Sequence, residues 1–187
     1  MDIYLLDQIV KGRYQQHDKI LDAGSGTGRN IHWFYYNRYN IWAIDREVEQ
    51  IEFIKQLYPN LGMQFTVSEM DSTPYLNDEF DHIVCNAVLH FAKDENHFLG
   101  MLAEMVRILK VAGSIFIRMA SNIGLEKIAV HQESGIYAIP DGTQRFLLTR
   151  QLIELILDDF SLTLLEPIKT TNDQDTRCMT TLVLQKN

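Results

Sequence analysis

Three glycines near the amino terminus have the spacing of a ligand-binding turn. Gly24, Gly26 and Gly28 follow the short apolar run "ILDA" and precede the helix-like segment "RNIHWFYY". Glycine tolerates positive φ and lets the backbone lie against a ligand, so the order of strand, tight turn and helix favours a binding loop. The spacing is G-x-G-x-G, and Arg29 stands where a dinucleotide-binding fingerprint has its third glycine.

Two carboxylates indicate the charge of the expected ligand. Asp22, in the turn itself, would repel a pyrophosphate but suits a ligand that carries an ammonium and a sulfonium charge. Asp45 ends the run "YNIWAID", where a carboxylate can accept both hydroxyl protons of a ribose. Either aspartate alone could instead cap the following turn or helix. Their joint position after adjacent strands favours an adenosine-like ligand with a positively charged tail.

Strand-like and helix-like segments alternate along the chain, which is typical of parallel strands joined by crossover helices. The last two predicted strands have no helix between them, so they should pair antiparallel. We therefore expect an α/β fold, a Rossmann-like doubly wound sheet of seven strands, mostly parallel with one antiparallel strand near the carboxyl terminus. The pattern predicts strands over 18–23, 40–45, 63–67, 80–86, 113–119, 161–166 and 178–185, and helices over 3–11, after Gly28, and over 47–57, 95–109 and 150–158.

The composition is ordinary for a globular chain. Its 187 residues are 46% hydrophobic and 22% charged, which predicts one domain over 1–187 with a single sizeable core. The formal net charge of −8 makes nucleic acid an unfavoured partner, because such binding depends on clustered Lys and Arg. Neither a secretory signal nor a run of about eighteen apolar residues is visible, so we expect a cytoplasmic protein without a membrane span. Cys85 and Cys178 are too few for a disulfide framework and should be buried and reduced.

Four segments together resemble the class I S-adenosylmethionine-dependent methyltransferases: "LDAGSGTGRN", "WAIDRE", "DEFDHIVCNAVLHF" and "MLAEMVRILKVAGSIFIR". The resemblance covers residues 18–120, and the segments "PDGTQRFLLT" and "RCMTTLVLQK" resemble a group of small bacterial-type enzymes of that family. It implies S-adenosylmethionine as the cofactor and S-adenosylhomocysteine as its product.

The resemblance also implies roles for individual residues. Asp22 and the three glycines would surround the methionine half of the cofactor, and Asp45 would bind its ribose. Arg46, Glu69 and Met70 would border the adenine, with Asp71 as an alternative acid, and Asn86 and Ala87 would lie beneath the sulfonium methyl. The cofactor-binding residues implied in this way are Asp22, Gly24, Gly26, Gly28, Asp45, Arg46, Glu69, Met70, Asn86 and Ala87.

Three basic residues are candidates for contact with a methyl acceptor. His90 follows the fourth strand and could remove a proton from an incoming hydroxyl or amine, or it could bond to the backbone at a helix end. Arg118 and Arg145 could hold an anionic substrate group by paired hydrogen bonds, or they could form surface salt bridges. The long stretch 121–148 is a candidate substrate cap, with a flap or a dimer contact as the alternative. No motif with metal-ligand spacing occurs, so we expect no metal.

The sequence predicts transfer of a methyl group from S-adenosylmethionine to a small-molecule acceptor by in-line displacement. Residues 86–89 lack the Asn-Pro-Pro-Tyr run of methyltransferases that act on base or amide nitrogens, which disfavours nucleic acid as the acceptor. Three competing hypotheses are a non-catalytic sensor or partner protein that binds S-adenosylmethionine, an NAD-dependent oxidoreductase, and a nucleic-acid methyltransferase that acts with a basic partner. The acceptor and the oligomeric state stay open.

Overall fold

A computed structural model describes residues 1–187, with five α-helices and eleven strands. The helices are α1 (Ile3–Val10), α2 (Ile31–Tyr36), α3 (Val48–Leu57), α4 (Glu95–Ile108) and α5 (Arg150–Asp159), with short 3₁₀ helices at Pro59–Gln64 and Leu89–Phe91. The strands are β1 (Lys19–Ala23), β2 (Asn40–Asp45), β3 (Phe65–Val67), β4 (Phe80–Asn86), β5 (Leu109–Ser121), β6 (Val130–His131), β7 (Ile136–Ala138), β8 (Gln144–Phe146), β9 (Leu162–Leu164), β10 (Lys169–Asp173) and β11 (Arg177–Lys186).

One large sheet organises the chain. Its strand order is β10-β11-β5-β4-β1-β2-β3, with β9 also paired to β11. The strands from β1 to β5 run parallel, whereas β11 runs antiparallel to β5, and β9 and β10 run antiparallel to β11. This order confirms the predicted Rossmann-like fold class and the antiparallel pairing of the strands predicted over 161–166 and 178–185.

The outer edge beside β11 consists of two short strands, whereas the sequence predicts one over 161–166. β9 pairs with residues 184–186, and β10 pairs with residues 177–181. Pro167 lies between β9 and β10 and has no N–H to donate to a strand ladder, which accounts for the interruption. The β10 strand is absent from the sequence prediction because its residues, "KTTND", are mostly exposed and show no apolar alternation.

The core lies on both faces of the sheet. Successive residues of β1 alternate between the faces, so Leu21 packs with α4 and Ile20 packs with α2 and α3. The predicted apolar stripe of α4 is buried at Phe98 and Met105, while Phe34 of α2 fills the opposite layer. Each such side chain contributes about 1.5–3 kcal/mol when it is removed from water. The two layers fix the strands whose carboxyl ends carry the polar residues.

The predicted cap segment forms a small antiparallel sheet of its own. β7 pairs with β6 on one side and with β8 on the other. Phe146 at the end of β8 stacks on Phe98 of α4, with ring centroids 4.9 Å apart. Leu148, the last residue of the segment, forms a β-bridge to Ser121 at the end of β5. Both ends of the segment are therefore attached to the main sheet. The sequence shows no periodic signal for strands of two or three residues.

Three further findings bear on the sequence predictions. Cys85 and Cys178 are buried and form no disulfide, as predicted. No helix is both long and apolar enough to cross a membrane. No group of three or more His, Cys, Asp or Glu side chains is arranged to hold a metal ion.

Candidate active site

The carboxyl ends of β1, β2, β3 and β4 surround a cavity of about 370 Å³. This volume lies in the usual range of small-molecule sites, roughly 300–1,000 Å³. Because β1 lies between β2 and β4, the cavity occupies the point where the strand order changes direction, which is where open α/β sheets bind ligands. Its wall consists of Gly24, Gly26, Thr27, Ile44, Asp45, Arg46, Glu47, Gln50, Ser68, Glu69, Met70, Ala87, Val88, Phe91, His97 and Met101.

The glycines of the loop after β1 have different physical reasons to be glycine. A Cβ atom on Gly24 would lie 2.3 Å from Cγ2 of Val88, and one on Gly28 would lie 2.9 Å from Cγ2 of Ile54. The neighbouring side chains pack so closely at these two positions that only glycine fits without rearrangement. Gly26 has a φ of 50°, and a Cβ added there would have no atom within 4 Å; the residue lies on the cavity wall. Its backbone is thus open to whatever the cavity binds.

Asp45 holds the glycine loop with its side chain. Its Oδ2 accepts a hydrogen bond from the N–H of Gly26 at 2.7 Å, and its Oδ1 accepts one from the N–H of Glu47 at 3.0 Å. The N–H of Gly24 also donates to the carbonyl oxygen of Ile44 at 2.9 Å. Each carboxylate oxygen has a further lone pair, so Asp45 can still accept hydroxyl donors such as those of a ribose.

Three polar side chains in and beneath the loop have buried atoms without a hydrogen-bond partner: both carboxylate oxygens of Asp22, Oγ of Ser25 and Nδ2 of Asn86. Burial is the main cause that raises the pKa of Asp22 to about 7. The nearby Asn30 side chain lowers this pKa, although it does not meet the geometry of a hydrogen bond to Asp22. The negative charge of Asp45 raises it further. Unpartnered buried groups are costly. Four of the seven such atoms lie here, and the other three are on Tyr14, Tyr75 and Thr181. This grouping favours a site that a polar ligand completes.

The charge of the cavity wall favours a cationic ligand. The carboxylates of Asp45, Glu47 and Glu69 lie on the wall together with a single arginine, Arg46. Arg46 is paired with Glu47, with Nε 3.0 Å from Oε1. The excess of negative charge would repel the phosphates of a dinucleotide and attract a positive group. An adenosyl group with a charged tail therefore fits this wall.

Comparison with known proteins identifies the family. Residues 21–117 match the family described as a methyltransferase domain. The chain belongs to the class I S-adenosylmethionine-dependent methyltransferases. This finding confirms the resemblance drawn from the sequence motifs.

Individual members of the family differ widely from this chain in sequence. YodH, an uncharacterised methyltransferase of Bacillus subtilis, is 26% identical over 98 residues, which are 51% of this chain and 40% of that relative. The match therefore spans less than half of YodH. Two solved structures show the same fold. An S-adenosylmethionine-dependent methyltransferase of Methanosarcina mazei has a TM-score of 0.78 at 19% identity, covering 95% of this chain and 96% of that one. The 1,6-didemethyltoxoflavin-N1-methyltransferase of Burkholderia thailandensis, solved with 1,6-didemethyltoxoflavin and S-adenosylhomocysteine, has a TM-score of 0.70 at 16% identity, covering 98% and 76%.

Most of the predicted cofactor residues line the cavity: Gly24, Gly26, Asp45, Arg46, Glu69, Met70 and Ala87. Asp22, Gly28 and Asn86 lie behind the wall, although Asp22 and Asn86 have unpartnered polar atoms there. Contact of these residues with the cofactor stays a prediction. Asp71, the alternative acid, is exposed and lies 3.7 Å from Nε2 of His97.

Several wall residues were not among the predicted site residues. Glu47 and Gln50 follow Asp45 within about one helical turn, so their proximity to it along the chain was an available signal. Phe91, His97 and Met101 come from the segment after β4. The apolar spacing of that segment indicates core rather than cavity wall, and Met101 is indeed buried.

His90 lies just behind the wall, in the 3₁₀ helix after β4. It is buried, and its Nδ1 accepts a hydrogen bond from the N–H of Ala120 at 3.3 Å. Burial first, then the charges of Arg145 and Arg177, lower the pKa of His90 to about 4. His90 is therefore neutral near pH 7 with its proton on Nε2. The structure realises the backbone-bonded alternative, and the role as a general base stays a prediction.

The two predicted substrate arginines have different surroundings. Arg118 forms an ion pair with Asp2, with Nε 2.9 Å from Oδ2, and its guanidinium lies 4.7 Å from the ring centroid of Tyr4. Its charge is thus compensated within the chain. The guanidinium of Arg145 lies 5.0 Å from the ring centroid of Phe91, and no carboxylate lies within 4.0 Å of it. Of these two arginines, only Arg145 lacks an ion pair, and it lies beside the cavity wall.

Proposed function

We propose that the protein transfers the methyl group of S-adenosylmethionine to a small organic acceptor. The observation that carries the proposal is the buried carboxylate of Asp22, which has no hydrogen-bond donor and lies under a glycine loop that opens to an acidic cavity. A cationic ligand would compensate this charge, whereas a pyrophosphate would increase the repulsion. Membership of the methyltransferase family supports the same ligand.

The side chains around the cavity would hold the cofactor in distinct ways. Asp45 would accept the ribose hydroxyls, and the backbone at Gly26 would lie against the methionine half. Arg46, Glu69 and Met70 would border the adenine. Asp22 would stabilise the positive tail from beneath the loop through electrostatic attraction.

Bound S-adenosylmethionine would supply a methyl group on a positively charged sulfur. The protein then has to hold the acceptor's nucleophile in line, with the reacting atoms about 3 Å apart, and to exclude water. Ala87, Val88 and the exposed ring of Phe91 form the wall where the acceptor would arrive. No nucleophilic side chain is needed, because the methyl donor is itself reactive.

His90 would assist the acceptor as a hydrogen-bond donor at neutral pH. Its pKa of about 4 makes it a weak base, and its Nδ1 already accepts from Ala120. His90→Asn, whose amide can reproduce the contact of Nδ1 but not the donor at Nε2, should therefore lower kcat and leave the affinity for S-adenosylhomocysteine unchanged. A kcat equal to that of the wild type would remove the catalytic role.

A small molecule is the acceptor class that the observations favour. The formal net charge of −8 disfavours nucleic acid. The Burkholderia thailandensis enzyme of the same fold was solved with a small heterocycle, 1,6-didemethyltoxoflavin. We propose that the segment 121–148 serves as the cap over the acceptor.

Calorimetry with S-adenosylhomocysteine and with NADH tests the cofactor assignment. We expect binding of S-adenosylhomocysteine only, and a loss of about 1–3 kcal/mol of binding free energy in Asp45→Ala, the scale of a charge-assisted hydrogen bond. Asp158→Ala, which removes an exposed carboxylate from α5, should bind as the wild type does. Tight NADH binding would overturn the proposal.

Release of S-adenosylhomocysteine, measured across a panel of phenols, amines, thiols and carboxylic acids, tests turnover. Parallel reactions with RNA test whether nucleic acid is the acceptor. Turnover of one small-molecule class supports the proposal. Tight cofactor binding without turnover on any acceptor would instead favour a sensor or a partner subunit, because cofactor residues alone do not establish catalysis.

A further inference from the structure

We propose that Arg145 and Arg177 together bind an anionic group, a carboxylate or a phosphate, on the methyl acceptor. The inference rests on the proposed methyl transfer and specifies the acceptor class for that site.

The end of β5 brings the two arginines to the same corner of the molecule. Ser121 pairs with Cys178 of β11 on one side and bridges to Leu148 on the other. Arg177 immediately precedes Cys178, and Arg145 lies on β8 three residues before Leu148. The topology therefore places two arginines from distant parts of the sequence beside the carboxyl end of one central strand.

The same corner adjoins the candidate active site. The N–H of Ala120, next to Ser121, donates to Nδ1 of His90 at 3.3 Å. The ring of His90 lies 4.5 Å from that of Phe91, between centroids, and Phe91 is part of the cavity wall. Arg145 lies over this same Phe91 ring at 5.0 Å. A small acceptor that reaches both the cavity and Arg145 would therefore cross the exposed ring of Phe91.

The charges of the two arginines are poorly compensated within the chain. The hydrogen bond of Arg145 runs to the carbonyl oxygen of its neighbour Gln144 at 3.1 Å. The carboxylate nearest to Arg177 is that of Asp141, whose Oδ2 lies 3.9 Å from Nη1. Asp141 is also engaged locally, because its Oδ1 accepts from both the N–H and the hydroxyl of Thr143. Against the opposing effect of burial, hydrogen bonds from Thr143, and then the charges of Arg177 and Arg145, lower the pKa of Asp141, so this one carboxylate faces both arginines and offsets one of their two charges. A net positive charge thus remains for an external anion.

Arg118 provides the contrast that makes the pair specific. It lies on β5 two residues before Ala120, yet Asp2 and the ring of Tyr4 already engage its guanidinium. Its side chain is also largely buried. The sequence alone suggests Arg118 and Arg145 as substrate residues, whereas the contacts favour Arg145 with Arg177.

The chemistry of the pair suits an oxyanion attached to a flat apolar group. Guanidinium groups bind carboxylates and phosphates through paired, charge-assisted hydrogen bonds. The exposed ring of Phe91 can pack against an aromatic body. The inferred acceptor class is therefore an aromatic acid or an aromatic phosphate, with its nucleophilic atom directed toward Ala87 and Val88.

Benzoate, phenyl phosphate and the neutral analogue benzamide serve as probes, titrated by NMR into the protein saturated with S-adenosylhomocysteine. The variants are Arg145→Gln and Arg177→Gln. The control is Arg38→Gln, which removes an exposed arginine without an ion pair. Arg38 precedes β2, which lies three strands away from β5 in the sheet. We expect at least one anion to bind the wild type and Arg38→Gln at least tenfold more tightly than benzamide, and each site variant to lose at least tenfold. The tighter of benzoate and phenyl phosphate identifies the anionic group.

A second readout separates binding from a change in folding. An anion bound between the arginines should raise the pKa of His90, measured from its ring carbon shifts, in the wild type but not in a double variant that still binds S-adenosylhomocysteine. Equal affinity for benzamide and the anions, or unchanged anion affinity in both site variants, would overturn this inference. Failure of S-adenosylhomocysteine to bind in the first step would instead overturn the proposed function, and the anion titration without it would still test the arginine pair.

Discussion

At the scale of single residues, the charge of Asp22 should lower stability while it serves binding. Burial raises the pKa of this carboxyl to about 7, so the folded chain holds the proton more tightly than the unfolded chain. The free energy of unfolding contributed by Asp22 therefore falls as the pH rises from about 4, the unfolded pKa, through 7. Asp22→Asn should match the wild type near pH 4 and exceed it by roughly 2–4 kcal/mol at pH 8, measured by urea unfolding.

The same substitution should weaken S-adenosylhomocysteine binding at pH 8 by about tenfold, since it removes the compensating negative charge. Asp158→Asn, on the exposed face of α5, is the control and should change neither quantity. An Asp22→Asn variant no more stable than the wild type at pH 8 would mean that the carboxylate is already compensated.

Sequence proximity explains which site residues could be predicted. Gly24 and Gly26 come just after β1, and Asp45 is the last residue of β2. The strand pattern alone therefore placed them at the carboxyl ends of the strands. Phe91 and Arg177 could not be found in this way. Phe91 looks like an ordinary core residue, and Arg177 reaches its corner only through the pairing of β11 with β5, which no local pattern reveals.

At the scale of elements, the backbone near the start of β5 is strained at one residue. Ala112 has a φ of 62°, in the left-handed region that disfavours residues with a Cβ. It is followed by Gly113, where a Cβ would lie 2.7 Å from the carbonyl oxygen of Asp81, so the register shift between β4 and β5 has little freedom to adjust. Ala112→Gly should therefore raise the free energy of unfolding by roughly 0.5–1 kcal/mol, after the entropy of glycine is subtracted.

The matched control is Ala103→Gly on the exposed face of α4, which should lower the free energy of unfolding by about 1 kcal/mol. Denaturant midpoints of the two variants are then expected to move in opposite directions. Two losses of similar size would show that the backbone of Ala112 is not strained.

Long elements with a clear period were predictable, and short ones were not. The α4 helix, predicted over 95–109, spans Glu95–Ile108, because its apolar residues recur at three- and four-residue steps. The strands β6, β7 and β8 have only two or three residues each, and β10 is a polar edge strand. Such strands form because neighbours pair with them, so their signal lies in tertiary contacts rather than in their own residues.

At the scale of the whole molecule, the amino ends and the carboxyl ends of the sheet strands have different roles. At the amino ends of the strands, His82 of β4 links Asp18 to Ser114 of β5 by hydrogen bonds of 3.1 and 2.8 Å, and an ion pair joins Lys110 to Asp81 at 2.7 Å. The carboxyl ends instead carry the glycine loop and the unpartnered polar atoms of Asp22, Ser25 and Asn86. Hydrogen bonds and ion pairs thus fix the amino ends of the strands, whereas polar groups at the carboxyl ends are free to bind a ligand.

Because a bound ligand would provide partners for the polar groups at the carboxyl ends of the strands, binding should stabilise the whole fold. S-adenosylhomocysteine at a hundred times its Kd should add about 2.7 kcal/mol to the free energy of unfolding, which raises Tm by about 5–10 °C in a chain of this size. NADH at the same concentration should leave Tm unchanged. Gly26→Ala should abolish most of the rise, since its Cβ would point into the open cavity. Gly12→Ala is matched to it, with a φ of 73° and no atom within 4 Å of the added Cβ, and should lose some Tm while keeping the full rise. An equal rise in both glycine variants would mean that the ligand does not lie against the loop.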